Sequence, residues 1–436
     1  MKIFPQKNSI KGSISVSGDK SCSHRALIFA SLMQGVSKIY GLLESDDVLA
    51  TLNSLQKMGV PIIKKEDYYE IFGSGFHSFV SPKQELNLQN SGTGVRLLMG
   101  LVSTQDLQVT FTGDNSLSAR PMARVTDPLS KFLVKFNLRD GNFLPAHVNG
   151  NADAVAINYK INIPSAQIKT ALILAALHAN GTSEIIETKL TRDHTELMMQ
   201  YLGFAIDCKI VEEQKIIKIK GNQDNVKAKN IKVSSDPSSA AFLIAAALLV
   251  PESDITINNV IINPHRIGFF ETLKEMGAKI EYLNIRCESG EEIADIRAKY
   301  SKLKGIEIAA EKAASMIDEY PILSVIATQA EGKTTMYGLK ELRVKESDRL
   351  AAIIKNLEIC GVKTESGEDW LAVEQTKKIK AKNTIKTYDD HRIAMSFLVL
   401  GLIAEEELAI DDASMINTSF PEFFDKLNQL GINFVR

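Results

Sequence analysis

The chain has 436 residues, 44% of them hydrophobic and 24% charged, with a formal net charge of −2. Such a composition belongs to a globular protein, and the length exceeds what one ordinary core organises, so two or more domains are expected. The near-zero charge excludes the global basic field that holds nucleic acid or a membrane surface, so any anion site has to be built locally.

The opening, "MKIFPQKNSIKG", has early lysines but no apolar core and does not read as a signal peptide. "IKGSISVSG" (10–18) then alternates like a strand. From Asp19 a repeating unit sets in. A polar start leads into an apolar helical run of about four turns, then a Gly or acidic break and a short β-branched strand. A polar elbow follows, and a second amphipathic helix often closes on L-x-x-x-G and an apolar strand. Six copies start at Asp19, "NSGTGVRLLMGLV", "PSAQIKTALILAALHANGTSEII", "SSDPSSAAFLIAAALL", "IDEYPILSVIATQAEGKTTM" and "YDDHRIAMSFLVLGLIA". Their spacing is roughly 70 to 80 residues, longer than common solenoid repeats.

"SEIIET", "DITINNVII" and "KTTMYGL" are the clearest strands. The first helices of copies three, four and six are apolar nearly all round, which predicts burial on every side. The expected fold class is therefore α/β (α+β): two similar domains of three repeats each, with buried helices wrapped by sheets, an inside-out α/β barrel. The boundaries predict an N-terminal domain over 19–234 and a C-terminal domain over 1–18 plus 235–436, the first strand completing the second domain's sheet. The longest apolar runs, "AAFLIAAALLV" and "IAMSFLVLGLIA", fall short of the ~18 residues that span a bilayer. The four cysteines, at 22, 208, 287 and 360, suit neither a zinc pattern nor a disulfide framework, and read as reduced thiols in a cytoplasmic protein without a metal.

The copies differ most at the polar start of their first helix. In copy one Asp19 or Ser21 can cap, yet Lys20, His24 and Arg25 crowd a helix start that disfavours cations by up to about 1 kcal/mol each. A bound anion reverses that sign. Copy two offers Asn90, Ser91, Gly92, Thr93 and Arg96. Copy three offers Ser165, Gln167 and Lys169, copy five Asp318 and Glu319, and copy six Asp389, Asp390, His391 and Arg392. Repeat symmetry puts equivalent helix ends on one side of a domain, where free N–H groups with Lys and Arg trap phosphate or carboxylate. "SLSARPM" adds Arg120, and "LKELRVKESDRL" packs Arg343, Lys345, Glu346, Asp348 and Arg349 together. On a helix, Lys345 and Arg349 share a face and Glu346 neighbours Arg349.

Plainer readings exist for each: ordinary caps, a simple turn at "NSGTG", a solvated salt-bridged face at "LKELRVKESDRL", a capped surface helix at "LTRDHTEL". Together, however, Lys20, Arg25, Arg96, Arg120, Lys345, Arg349 and Arg392 can hold two or three anionic groups, with Asp318 and Glu346 as acid–base candidates among them. No P-loop, dinucleotide fingerprint, His/Cys metal pattern or nucleophile elbow occurs. The residues point to an enzyme acting on small polyanions by proton transfer, without metal or cofactor.

"GDKSCSHRA", "NSGTGVRLL", "SLSARPM", "SAQIKTALILA", "TRDHTE", "DEYPIL", "LRVKESDRL", "YDDHRIAM" and "TSFPEFF" occur in that order over nearly the whole chain. They resemble the 5-enolpyruvylshikimate-3-phosphate (EPSP) synthases, in the bacterial subgroup with "SAQ" and "DEYP". The resemblance implies two domains, each of three βαβαββ units, that close on their substrates. It implies transfer of the enolpyruvyl group of phosphoenolpyruvate to the 5-hydroxyl of shikimate 3-phosphate, through a tetrahedral intermediate and with release of phosphate, in the shikimate pathway. By motif, Lys20, Ser21, Arg25, Ser165, Ala166, Gln167, Arg192, Asp318 and Lys345 would bind shikimate 3-phosphate. Lys20, Gly92, Arg120, Gln167, Arg349 and Arg392 would bind phosphoenolpyruvate. Asp318 would be the base at the 5-hydroxyl, Glu346 the acid at the methylene carbon, and Lys20 the group that stabilises charge in the intermediate. The implied enzyme is a cytoplasmic monomer with no cofactor, no metal, and no nucleic-acid or membrane partner.

Thr418 of "NTSFPEFF" stands where many members have a lysine, so that phosphoenolpyruvate contact does not carry over. Alanine at the Gly92 position is linked to glyphosate tolerance in relatives. A sister enzyme acting on UDP-N-acetylglucosamine shares the fold, but usually has a cysteine before the "RP" arginine, and "GDNSLSARP" has none. A non-catalytic binding protein on the same repeats would have lost one of the carboxylates; both are present.

Overall fold

The computed structural model describes residues 1–223 and 225–435. The chain divides into two compact units: an N-terminal unit of Gly18–Val233 with Glu288–Glu291, and a C-terminal unit of Met1–Ser17, Ser234–Cys287 and Glu292–Arg436.

Among the described residues the N-terminal unit carries three four-stranded sheets of one design. Asn158–Ile161 runs parallel to Thr182–Glu187, which pairs antiparallel with Gln214–Lys220 and through it with Ile206–Val211. Leu86–Asn87, Gln108–Thr112, Phe143–Asn149 and Lys135–Arg139 repeat the order. In the third sheet Ile231–Lys232 is the parallel partner of Gln34–Tyr40, so the unit's end closes the sheet that its beginning opens. The C-terminal unit repeats the order with Glu307–Ile308, Lys333–Tyr337, Trp370–Glu374 and Thr364–Ser366. Its other two sheets draw on the first residues of the chain. Lys11–Ser15 runs parallel to Asp254–Ile261, and Lys2–Ile3 lies between Leu408–Ala409 and Phe434–Val435.

A parallel pair needs a crossover, and between Leu86–Asn87 and Gln108–Thr112, Asn158–Ile161 and Thr182–Glu187, and Glu307–Ile308 and Lys333–Tyr337 the first helix of the repeat lies in it. Strand alternation turns one sheet face onto those helices: Ile185, Ile217 and Ile219 are fully buried while their neighbours Glu184 and Lys218 are not. Pro237–Leu249 and His391–Gly401 are buried at every residue. Their sequences are apolar all round, and each buried Leu or Phe contributes about 1.5–3 kcal/mol. Gly100 lets two such helices touch, since a Cβ there would lie 2.4 Å from the Ala171 carbonyl oxygen. Among the described residues no helix is long and apolar enough to cross a membrane.

Three local expectations are corrected. The first helix of copy five is only Tyr320–Ala327, about half the expected length, with Pro321 in its first turn and the separate Ala313–Met316 turn before it. "LKELRVKESDRL" is not one helix. A 3₁₀ turn covers Lys340–Val344, and the α-helix starts at Arg349 because Asp348 caps it, accepting from Ala351 N at 3.0 Å. Lys345 therefore lies before the helix and shares no helical face with Arg349. "LTRDHTEL" does not start a surface helix either: His194, Thr195 and Glu196 are buried.

Candidate active site

In the N-terminal unit, Asp19 caps the Lys20–Leu32 helix by accepting from Cys22 N at 2.7 Å. Lys20 Nζ lies 3.0 Å from Asp47 Oδ2, in the first turn of Asp46–Lys57. Arg25 is 3% exposed. It donates from Nε to Thr195 Oγ1 at 2.8 Å, from one terminal nitrogen to Thr170 Oγ1 at 2.8 Å, and from the other to Ser21 O at 2.9 Å. All three acceptors are neutral, and burial lowers the pKa of Arg25. His24 adds no charge at neutral pH, because burial, helped by Lys20 and Arg25, pushes its pKa down to about 3.

Ser91 caps the Gly92–Ser103 helix and Ser165 caps Ala166–Ala176, as the sequence led one to expect. Arg96 donates to Gln167 Oε1 at 2.8 Å, and Gln167 Nε2 donates to Thr93 Oγ1 at 2.9 Å. Arg120 donates to Asn90 Oδ1 at 2.6 Å and Ser116 Oγ at 3.1 Å. Gly92 sits between the two guanidiniums, since a Cβ there would lie 3.1 Å from a terminal nitrogen of each. These ties gather the starts of three helices, with Lys20, Ser21, Arg25, Gly92, Arg120, Ser165, Ala166 and Gln167 on or beside them. Arg192 lies in the loop just before His194–Leu202.

Lys169, at the same helix start, has a different task. It is fully buried, 2.9 Å from Glu187 and 2.8 Å from Glu196, and Lys215 lies 3.0 Å from Glu196. Burial works against a charged Glu196, but Lys169 and Lys215 outweigh it and hold its pKa below the usual carboxylate range.

In the C-terminal unit the arginines meet carboxylates. Arg349, 1% exposed, donates from Nε to Asp390 Oδ2 at 2.8 Å, from one terminal nitrogen to Asp318 Oδ1 at 3.3 Å and from the other to Glu346. Burial alone would lower its pKa; Asp390 above all, then Glu346 and Asp318, raises it. Lys345 Nζ lies 4.0 Å from Asp318 Oδ1. Arg392 donates to Asp318 O at 3.0 Å and Glu319 Oε1 at 3.3 Å. Ser238 donates to Glu319, and Arg266 reaches Ser238 Oγ at 3.0 Å and Asp236 Oδ1 at 3.1 Å. Thr418 Oγ1 donates to Met415 O at 2.7 Å and stands 3.4 Å from His391 Nδ1.

Asp318, Lys345, Glu346, Arg349 and Arg392 thus form one network in this unit. Sequence reasoning missed Asp47, Thr170, Thr195, Ser238 and Arg266. No local signal marks them, because each acts through a partner distant in sequence. A cationic cluster on neutral oxygens can hold anions, and a carboxylate cluster among cations can move protons.

The description "EPSP synthase (3-phosphoshikimate 1-carboxyvinyltransferase)" belongs to the family whose sequence pattern matches residues 5–427. Relatives named 3-phosphoshikimate 1-carboxyvinyltransferase include one from Ruegeria sp. (strain TM1040), 46% identical over 98% of this chain and 96% of its own length. Another, from Bartonella quintana (strain Toulouse), is 49% identical over 97% of this chain and 96% of its own. The solved EPSP synthase of Acinetobacter baumannii superimposes with a TM-score of 0.86 at 37% identity, covering 98% of this chain and 97% of that one.

Proposed function

The chain belongs to the EPSP synthase family, and from that premise we propose that it transfers the enolpyruvyl group of phosphoenolpyruvate to the 5-hydroxyl of shikimate 3-phosphate, releasing phosphate. One observation carries the reading: three helix starts are tied together through Arg25–Thr170, Arg96–Gln167 and Gln167–Thr93. Together they offer cations and unspent N–H groups to phosphate and carboxylate.

In this reading Lys20, Ser21, Arg25, Ser165, Ala166, Gln167, Arg192, Asp318 and Lys345 bind shikimate 3-phosphate. Lys20, Gly92, Arg120, Gln167, Arg349 and Arg392 bind phosphoenolpyruvate. In the addition step the 5-hydroxyl oxygen bonds to C2 of phosphoenolpyruvate, its proton passes to Asp318, and Glu346 delivers a proton to the methylene carbon. In the elimination step that methyl carbon returns a proton to Glu346, the double bond re-forms and the C2–O bond to phosphate breaks, the hydroxyl proton taken by Asp318 leaving with the phosphate. Lys20 offsets the negative charge of the intermediate. Lys345 and Arg349 beside Asp318, and Arg349 on Glu346, support this assignment by fixing both carboxylates.

The reading extends to a monomer working in the cytoplasm, whose reducing environment keeps Cys22, Cys208, Cys287 and Cys360 out of disulfides. The test is phosphate release from phosphoenolpyruvate by the purified chain. Release that requires shikimate 3-phosphate is expected; release that requires UDP-N-acetylglucosamine instead, or none with either acceptor, overturns the proposal.

A further inference from the structure

We propose that Asp19, Cys22 and His194 form a binding site for a divalent transition-metal cation of zinc's type. The inference rests on these residues alone and not on the reaction proposed above. Each offers one ligand atom, and these atoms lie within 4.8 Å of one another, all on buried residues. Carboxylate, thiolate and imidazole are the donor types that zinc takes. Bonds of about 2.0–2.3 Å hold tetrahedral ligand atoms about 3.4 Å apart, so the trio has to contract by little more than an ångström.

The second observation is the state of the imidazole. His194 Nδ1 lies 2.7 Å from Glu291 Oε1, the carboxylate pairing that fixes the orientation of a metal-binding histidine. Nε2 is thereby left for a metal, and it is buried with no hydrogen-bond partner. An orphaned buried polar atom costs about 1–3 kcal/mol, which ligation would recover.

Three protein ligands leave a fourth position for water. Neither cysteine spacing nor any local motif points to this site, because Cys22 and His194 belong to the first and third repeats.

The test uses the intact chain, stripped with a chelator and titrated with Zn²⁺ against a chromophoric competitor. One equivalent is expected to bind, with Cys22→Ala weakening it by more than about 100-fold, beyond the loss usual for a supporting residue. Co²⁺ on the unmutated chain is expected to give a thiolate-to-metal charge-transfer band, a readout that needs no variant to fold. No stoichiometric Zn²⁺ binding, Zn²⁺ binding that survives in a folded Cys22→Ala chain, or a Co²⁺ complex without the band each overturns the proposal.

Discussion

The two charged clusters are built from the same repeat yet solve burial of a guanidinium in opposite ways. In the N-terminal unit Arg25 is wrapped by two hydroxyls and a carbonyl. In the C-terminal unit Arg349 is wrapped by Asp318, Glu346 and Asp390. Neutral acceptors satisfy hydrogen bonds without cancelling the charge, and burial outweighs the more distant Asp19, Glu196 and Glu291, so the Arg25 pKa falls and a bound anion would support its charge. Carboxylates cancel it, so Arg349 orients acids and bases. The cations crowding the helix start at Lys20 make sense in this light. Asp47 relieves Lys20 locally, and His24 is neutral. Arg25 remains, dipole and all, on acceptors that cannot discharge it.

The contrast can be broken most severely at Asp318. Asp318→Asn is expected to lower kcat by about 10³–10⁴-fold while leaving the affinity for shikimate 3-phosphate within a few-fold, read by single-turnover kinetics and equilibrium binding. If binding fails instead of turnover, the carboxylate cluster is an anion-site scaffold and the contrast is lost. Lys20→Ala is expected next, with a loss of about 10²–10³-fold in kcat/KM and an unchanged melting temperature. Near-normal activity would remove Lys20 from the centre of the anion site.

Acid sharpens the contrast through stability. His24 and His178, both in the N-terminal unit, are buried with pKa values pushed down to about 3 by desolvation. Unfolding returns them to about 6.5, so the unfolded state takes up protons first. Their stabilisation is complete above that pH and is lost as pH falls toward 3, at about 1.4 kcal/mol per unit for each. Hydrogen exchange between pH 7 and 5 should therefore show the N-terminal unit opening ahead of the C-terminal unit, and His178→Gln should flatten the slope. Equal loss in both units contradicts this. The smallest effect is expected at Gly92→Ala. Its Cβ would stand 3.1 Å from both Arg96 and Arg120, which must yield by tenths of an ångström. KM for phosphoenolpyruvate should rise about three- to tenfold, within the roughly 1.4 kcal/mol that a distorted charged contact costs; a change confined to shikimate 3-phosphate would misplace Gly92.

Much of the architecture was legible because it is written locally. "DITINNVII" alternates and forms Asp254–Ile261; "SSAAFLIAAALL" is apolar all round and is buried at every residue. The caps at Asp19, Ser165 and Asp390 follow from one side chain reaching its own backbone. Candidate site residues were legible by type, since each sits at a polar helix start. What they bind to was not. Lys169 stood with Ser165 and Gln167 among the candidates at the start of copy three and is instead locked to Glu187 and Glu196. "LKELRVKESDRL" looked like one helix, and the cap at Asp348 breaks it.

Periodicity, caps and repeat spacing involve residues a turn or two apart, so the sequence alone determined the helices, the strands and their sixfold recurrence. Which cations keep their charge and which are cancelled, and that Cys22 meets His194, depends on side chains that only the packing of one repeat on another brings together. Dielectric and distance decide those matters, and neither exists until the chain has folded.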